Sequence, residues 1–183
     1  PARCPACAPD LDAGAPPALG LQIMYRIDGG RDLPEEVLAH LEGYRASAPV
    51  RIGNAAADQT QLDVYGEVLD AAFLHVTRAG PHGASAGDGA APALAPELWS
   101  LLRHLADEAA RRWREPDAGI WEVRGGPRHF LYSKLLCWVA VDRAARIAER
   151  LALPGDVARW RATADEIRSV ILEQGYDPAL GAF

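Results

Sequence analysis

Lysine and methionine are nearly absent from this 183-residue chain, which has one of each, and almost all of its basic side chains are arginines. The formal net charge of −6 argues against a nucleic-acid-binding protein, since such proteins carry a basic surface. No apolar run reaches the roughly 18 residues of a membrane-spanning helix. No basic segment followed by an apolar run marks a signal peptide. These absences predict a cytoplasmic protein with no nucleic-acid or membrane partner.

Cysteine is also scarce, with only Cys4, Cys7 and Cys137 in the chain. The spacing of Cys4 and Cys7 is one that redox and zinc sites use. Tetrahedral zinc needs four ligands, and no second pair follows. We therefore expect no metal site, and a redox or metal protein is the least favoured alternative. Cys137 lies in an apolar stretch and is predicted to be a small core residue.

Four segments repeat apolar residues at steps of three and four, which indicates amphipathic helices. The helices are predicted from about 57 to the Gly80-Pro81 break, and over 96–114, 127–151 and 156–174. Asp58 is the expected N-cap of the first, Leu135 belongs to the apolar stripe of the third, and Gly175 is expected just past the end of the fourth. A short extended segment is predicted at Ile120–Val123. A further short helix is predicted at 34–42. Strands and helices do not alternate, so a parallel-sheet nucleotide fold is unexpected. The pattern predicts an all-α protein of helical hairpins joined by loops. It does not choose between a bundle and a toroid.

The remaining segments are predicted to be irregular. Residues 1–19 are rich in proline and alanine, and residues 80–96 are rich in glycine and are expected to form a flexible surface loop. A chain of 183 residues is long enough for one medium domain with a core. The whole chain, 1–183, is therefore predicted to be a single domain.

The segment from Trp113 to Phe130 has the most unusual composition in the chain. It combines the glycines and prolines of a loop with an isoleucine, two tryptophans and three acids. A carboxylate beside an indole suits a sugar site, because the ring packs on a pyranose and shields the acid from water. On composition alone, the alternative is that Trp121 is a core plug and Glu122 a solvated surface charge.

Several segments of the chain, in the same order, resemble the glycoside hydrolases of family 15, the glucoamylase and trehalase-like group. The resemblance begins near residue 20 and continues to the end of the chain. The matching segments are Leu21–Gly29, Pro49–Ala56, Gln59–Val68, Arg114–Gly125 and Gly175–Phe183.

The resemblance implies an (α/α)6 toroid that hydrolyses α-glucosidic bonds with inversion. Glu122, in the Trp-Glu motif, is the expected general acid. A second glutamate would activate water from the opposite face, with the two carboxyls roughly 6.5–9.5 Å apart. The substrate class is trehalose or a maltooligosaccharide, and no cofactor is implied. The residues expected to bind substrate are Trp121, Arg124, Asn54 and His129.

Structural roles are the alternatives for several of these residues. Asn54 is equally suited to a turn or cap, and Arg124 to an ion pair with Glu122 or Asp117. His129 is alternatively a structural histidine or a cap at a helix start. Asp63 and Glu67 also lie four residues apart on one helix face, where a solvated polar face is favoured over a catalytic carboxylate pair.

Two motifs of the family have no counterpart in the chain. The Trp-x-Arg-Asp-like motif would precede the matched region, and the Glu-Gly-Ala-Phe-like motif that holds the second glutamate would follow it. The chain is therefore predicted to be the central section of the catalytic domain, carrying the general acid without the general base and inactive alone. An incomplete toroid exposes apolar faces, so self-association is expected. The alternative function is a non-catalytic helical scaffold or carbohydrate-binding fragment.

Overall fold

The computed structural model describes residues 21–78, 94–122 and 125–183. The predicted irregular segment 1–19, both N-terminal cysteines and most of the predicted flexible loop at 80–96 lie outside these ranges. The chain divides into two compact units, the first ending at Thr60 and the second comprising Gln61–Phe183. The single catalytic domain inferred from the sequence stays a prediction.

The first unit contains a two-stranded antiparallel sheet. Strand β1, Glu36–Val37, pairs with strand β2, Arg51–Ile52. The short helix predicted at 34–42 is therefore wrong. Pairing with β2 holds this segment extended. Gly53 allows the close approach, because a Cβ there would stand 1.8 Å from the carbonyl oxygen of Pro34. Two single turns of 3-10 helix, at Tyr44–Ala46 and Ala55–Asp58, complete the described part of this unit.

The second unit is built from four helices, which confirms the predicted all-α class. They are α1, Asp63–Arg78; α2, Pro96–Arg112; α3, Leu131–Leu151; and α4, Val157–Gln174. Helix α3 is central and packs against each of the other three. None of the helices in the described ranges combines the length and the apolar character that crossing a membrane requires.

Small residues allow α3 to contact its neighbours closely. Its alanines 140, 144 and 145 are fully buried, and Gly66 of α1 lies directly against its backbone. A Cβ on Gly66 would stand 2.3 Å from the carbonyl oxygen of Leu136. The buried face of α3 is therefore wider than the predicted apolar stripe and differently centred. Leu135, which belonged to that stripe, is 42% exposed, whereas Cys137 is in the core as predicted.

Two predicted helix starts are shifted, and one predicted cap has a different backbone conformation. Helix α1 begins at Asp63 because the preceding 3-10 turn is a separate element, so Asp58 is not its N-cap. Helix α3 begins at Leu131 because Arg128 pairs with Asp117 in a β-bridge instead of entering the helix. Gly175 ends α4 with φ −87°, in the right-handed region and not the left-handed one expected of a glycine cap.

Candidate active site

The loop between α2 and α3 is closed at its base by backbone hydrogen bonds. The amide of Asp117 donates to the carbonyl of Arg128 at 2.9 Å, and the amide of Arg128 donates back at 2.8 Å. The bridge ties together the two ends of the segment that carries Glu122. The loop therefore has a fixed base, although its sequence is rich in glycine and proline.

Glu122 ends a tight turn at the exposed side of this loop. Its amide donates to the carbonyl of Gly119 at 3.2 Å, and residues Gly119–Glu122 form the turn where a short extended segment was predicted. Glu122 has φ 50°, in the left-handed region that disfavours a residue with a Cβ. Backbone strain of this kind clusters at functional sites. The turn leaves the carboxyl of Glu122 exposed to solvent.

Trp121 is 82% exposed, so the alternative interpretation of a core plug is wrong. The sequence suggested that this indole shields the Glu122 carboxyl from water. Within the described residues it does not. An exposed indole next to an exposed carboxyl still offers an apolar plane and an acid on one surface. That pair of groups is suited to a pyranose ring with a glycosidic oxygen at its edge.

His129 is exposed and lines a cavity of about 570 Å³ between the loop, the start of α3 and the end of α4. The N-cap of α3 is Phe130 and has no side-chain cap, so His129 does not cap the helix. Next to it, the Arg114 guanidinium stacks on the Trp113 ring, 4.3 Å from its centroid, and pairs with Glu166 of α4.

Asn54 has a structural role in the first unit. Its side-chain oxygen accepts the amide of Ala56 at 2.9 Å and caps the 3-10 turn that follows. The cap alternative for Asn54 is thus confirmed, and its contact with substrate stays a prediction. Arg124 lies outside the described residues, so neither its ion-pair alternative nor its substrate contact has a structural counterpart.

Below the loop, polar groups that sequence reasoning did not single out are buried. Asp117 is 0% exposed, and its Oδ2 accepts the amide of Leu62 at 2.9 Å. Lys134, the only lysine, is also buried and donates to the carbonyl of Glu115. Burial lowers the pKa of Lys134. An isolated lysine in an arginine-rich chain and an aspartate directly after a proline were the available signals.

Asp63 is buried beside this group, which contradicts a solvated interpretation of that carboxylate. Burial raises the pKa of Asp63, and the charges of Asp117 and Glu67 raise it further. Glu67 is exposed, as expected, and accepts the Tyr132 hydroxyl at 2.8 Å. The two carboxylates therefore have different environments and do not act as one exposed pair.

No metal-binding cluster is present within the described ranges, where no three histidine, cysteine or acidic side chains are placed to hold an ion. Cys4 and Cys7 lie outside those ranges, so the redox or zinc alternative has no structural counterpart to compare. Cys137 donates from its buried thiol to the carbonyl of Leu62 at 3.7 Å. Burial raises the pKa of that thiol to about 12, so it is not a reactive nucleophile.

The family model for glycosyl hydrolases family 15 matches residues 16–183. The chain is 46% identical over 157 residues to a trehalase of Mycobacterium tuberculosis, covering 86% of this chain and 21% of that protein. A trehalase of Mycolicibacterium smegmatis is 43% identical over 157 residues, 86% of this chain and 22% of its own length.

A more distant relative shows the same partial coverage. A trehalase of Thermoplasma volcanium is 34% identical over 163 residues, 89% of this chain and 24% of that protein. The chain thus spans about a fifth to a quarter of the length of these curated relatives. No solved structure matches it.

Proposed function

The chain belongs to the glycosyl hydrolases of family 15, and from that membership we propose that the full-length protein hydrolyses the α-glucosidic bond of trehalose. The choice of trehalose over a maltooligosaccharide is supported by the relatives above, each of which is named a trehalase. The two sugars share the α-glucosyl unit that is cleaved. They differ in the leaving group, so the distinction belongs to contacts with the second sugar.

Glu122 is the proposed general acid, and the observation that carries this role is its position. The carboxyl lies exposed on a strained turn whose loop is closed by the bridge of Asp117 with Arg128. A general acid must be held within hydrogen-bond reach of the glycosidic oxygen that it protonates. The adjacent indole of Trp121 would pack on the apolar face of the sugar.

The remaining parts of the mechanism are proposed from the family. A second carboxylate, supplied by the full-length protein outside these 183 residues, would remove a proton from water on the opposite face of the sugar. The water oxygen bonds to the anomeric carbon as the glycosidic bond breaks, and the leaving oxygen takes its proton from Glu122. Asn54, Arg124 and His129 are proposed to contact the substrate. No cofactor enters these steps.

The test is glucose release from trehalose, maltose and maltotriose by the full-length protein and its Glu122→Gln variant. Glu173→Gln is the matched control, since Glu173 is an exposed glutamate on α4. Loss of hydrolysis in Glu122→Gln alone is expected. Full activity in that variant would contradict the acid assignment, and faster release from maltotriose than from trehalose would reassign the substrate.

Proton NMR of the first products tests the stereochemistry. Inversion at one anomeric centre of α,α-trehalose releases one β-glucose together with one α-glucose as the leaving group. A retaining enzyme would release only the α form at first. An equal initial yield of the two anomers is therefore expected, and initial α-glucose alone would contradict the two-carboxylate inverting mechanism.

A second candidate function concerns the 183-residue chain by itself. Five leucines of the helical unit are 38–47% exposed: Leu74, Leu98, Leu101, Leu135 and Leu172. Exposed apolar side chains on several helices favour a helical scaffold that self-associates. Sedimentation equilibrium of the 183-residue chain is expected to give a mass above one protomer. A monomer that stays dispersed at tens of micromolar would exclude this candidate.

A further inference from the structure

We propose that Asp117 is a positioning residue, whose hydrogen bond to the start of α1 holds the turn that carries Glu122 in place for proton transfer. The inference rests on the proposed function, because it assigns Asp117 a role in the step that Glu122 performs. Asp117 itself is fully buried and does not reach solvent. Its influence on the reaction therefore passes through the backbone.

The side chain and the backbone of Asp117 together anchor the loop. Asp117 Oδ2 accepts the amide of Leu62, one residue before α1, while the Asp117 backbone pairs in both directions with Arg128. One residue thus connects both ends of the loop to Leu62, which lies 55 positions earlier in the chain and directly before α1. Hydrogen bonds of a backbone amide to an ionised carboxylate are among the stronger ones in proteins.

The turn Gly119–Glu122 connects this anchor to the acid. Two residues after Asp117, Gly119 adopts φ 67° and starts the turn that ends at Glu122. The ring of Phe130 lies so close below Gly119 that a Cβ there would stand 2.7 Å from Cδ2 of the ring. The turn is therefore held on one side by Asp117 and from below by Phe130. A shift of Asp117 would move the turn and with it the Glu122 carboxyl.

Burying these polar groups has an energetic cost. Asp117 Oδ1, Asp63 Oδ1 and Ser133 Oγ are all buried, and none has a hydrogen-bond partner among the described residues. The charge of Asp117 raises the pKa of the buried Asp63 carboxyl, and burying two carboxyls in this way does not favour stability. Buried polar groups left partly unsatisfied call for an explanation in function. Fixing the acid-bearing turn supplies that explanation.

The experiment compares Asp117→Asn with Asp117→Ala in the full-length protein. Asparagine keeps an oxygen that can accept the Leu62 amide and removes the charge beside Asp63, whereas alanine removes the anchor. Leu102→Ala, in the buried core of α2, is the control for a general loss of stability. For each variant, kcat and KM on trehalose are measured well below its Tm, together with hydrogen exchange of the peptide containing Gly119–Glu122.

Asp117→Ala is expected to lower kcat by about 10- to 100-fold with KM changed less than about threefold, since misplacing a catalytic group by 1 Å can cost about 100-fold. Exchange in the turn should rise in parallel. Asp117→Asn should keep kcat within about threefold, and Leu102→Ala should lower Tm without slowing kcat. A merely structural role for Asp117 would make Asp117→Ala behave like Leu102→Ala, which would overturn the inference.

Equal losses of kcat in the Asn and Ala variants would also overturn it, because the charge and not the anchor would then matter. Failure of the proposed function has a different signature. In that case the wild type does not hydrolyse trehalose, or Glu122→Gln is fully active. Hydrogen exchange still tests the anchor then, and unchanged exchange of the turn in Asp117→Ala contradicts it whatever the activity.

Discussion

The backbone amide of Leu62 and the carboxylate of Asp117 are 55 residues apart in sequence and 2.9 Å apart in space. The carbonyl of the same Leu62 accepts the thiol of Cys137 from α3. One residue directly before α1 therefore contacts both the acid-bearing loop and the central helix. The stability of the loop is tied to how α1 begins.

Removing the side chain of Glu122 should separate stability from activity. Its left-handed backbone costs a residue with a Cβ about 1–2 kcal/mol, whereas glycine adopts it freely at an entropic cost of about 0.4–1 kcal/mol. Glu122→Gly should therefore be as stable as Glu122→Gln or up to about 1 kcal/mol more stable, with both inactive. Chemical denaturation of the two variants checks this.

Arg168→Gly provides the contrast for this prediction. Arg168 is exposed in the middle of α4, where glycine should cost about 1 kcal/mol relative to a good helix former. A Glu122→Gly variant that loses as much stability relative to Glu122→Gln as Arg168→Gly loses relative to wild type would contradict the strain at Glu122.

Gly119→Ala should damage the loop more than the same change at Gly181. Both glycines have a positive φ, 67° and 66° respectively, so the backbone penalty is shared. Only at Gly119 would the new methyl meet a ring, that of Phe130, while Gly181 faces open space. We expect Gly119→Ala to cost about 1–3 kcal/mol more than Gly181→Ala. Equal losses of Tm in the two variants would show that the ring yields freely.

Gly66→Ala should destabilise the protein although alanine is the better helix former. Propensity alone would favour alanine by about 1 kcal/mol. The new Cβ, however, would lie 2.3 Å from the Leu136 carbonyl, so α1 and α3 must separate. Overpacking is expected to lower the free energy of unfolding by about 1–3 kcal/mol. Ser169→Ala, at an exposed position of α4, is the control. A gain of stability in Gly66→Ala would refute the close crossing.

Ionisation of Tyr132 should report on its contact with Glu67. The hydrogen bond to that carboxylate, with a smaller effect of burial, raises the pKa of the Tyr132 hydroxyl to about 12. The folded pKa is above the unfolded value of about 10, so the stabilisation is complete below pH 10 and is lost as pH rises toward 12. The difference between the ultraviolet titration curves of the wild type and Tyr132→Phe isolates the ionisation of this hydroxyl. Glu67→Gln should return the pKa of Tyr132 toward the ordinary value of about 10.

The presence and approximate positions of the four helices were predictable from sequence, whereas the geometry of the site was not. Helix α4 was predicted within about one residue because its apolar spacing and the Asp156 cap are local signals. The bounds of α1 and α3 were missed because a separate 3-10 turn and a β-bridge determine where each begins. Pattern reasoning also placed Leu135 inside, because it could not foresee a central helix buried by alanines.

The candidate acid could be found from sequence because its motif is contiguous. The residues that hold its loop in place were missed because their contacts join distant parts of the chain. The Trp-Glu pair is contiguous and visible in the sequence, so Glu122 could be named. The hydrogen bond of Asp117 joins residues far apart in the chain, and no periodicity shows it. Lys134 was noticed only as an oddity of composition, although its burial under the loop is a property of the fold.

The solitary lysine gives this chain a chemical label at the base of its loop. Its ε-amine is held against the Glu115 carbonyl at the base of the loop, and every other basic side chain of the sequence is arginine or histidine. Amine-directed reagents, lysine-specific proteases and isopeptide-forming enzymes therefore have a single lysine to act on in this chain, and it can be reached only through the cavity that it lines. Acylation of that one side chain would report on access to the cavity without an introduced label.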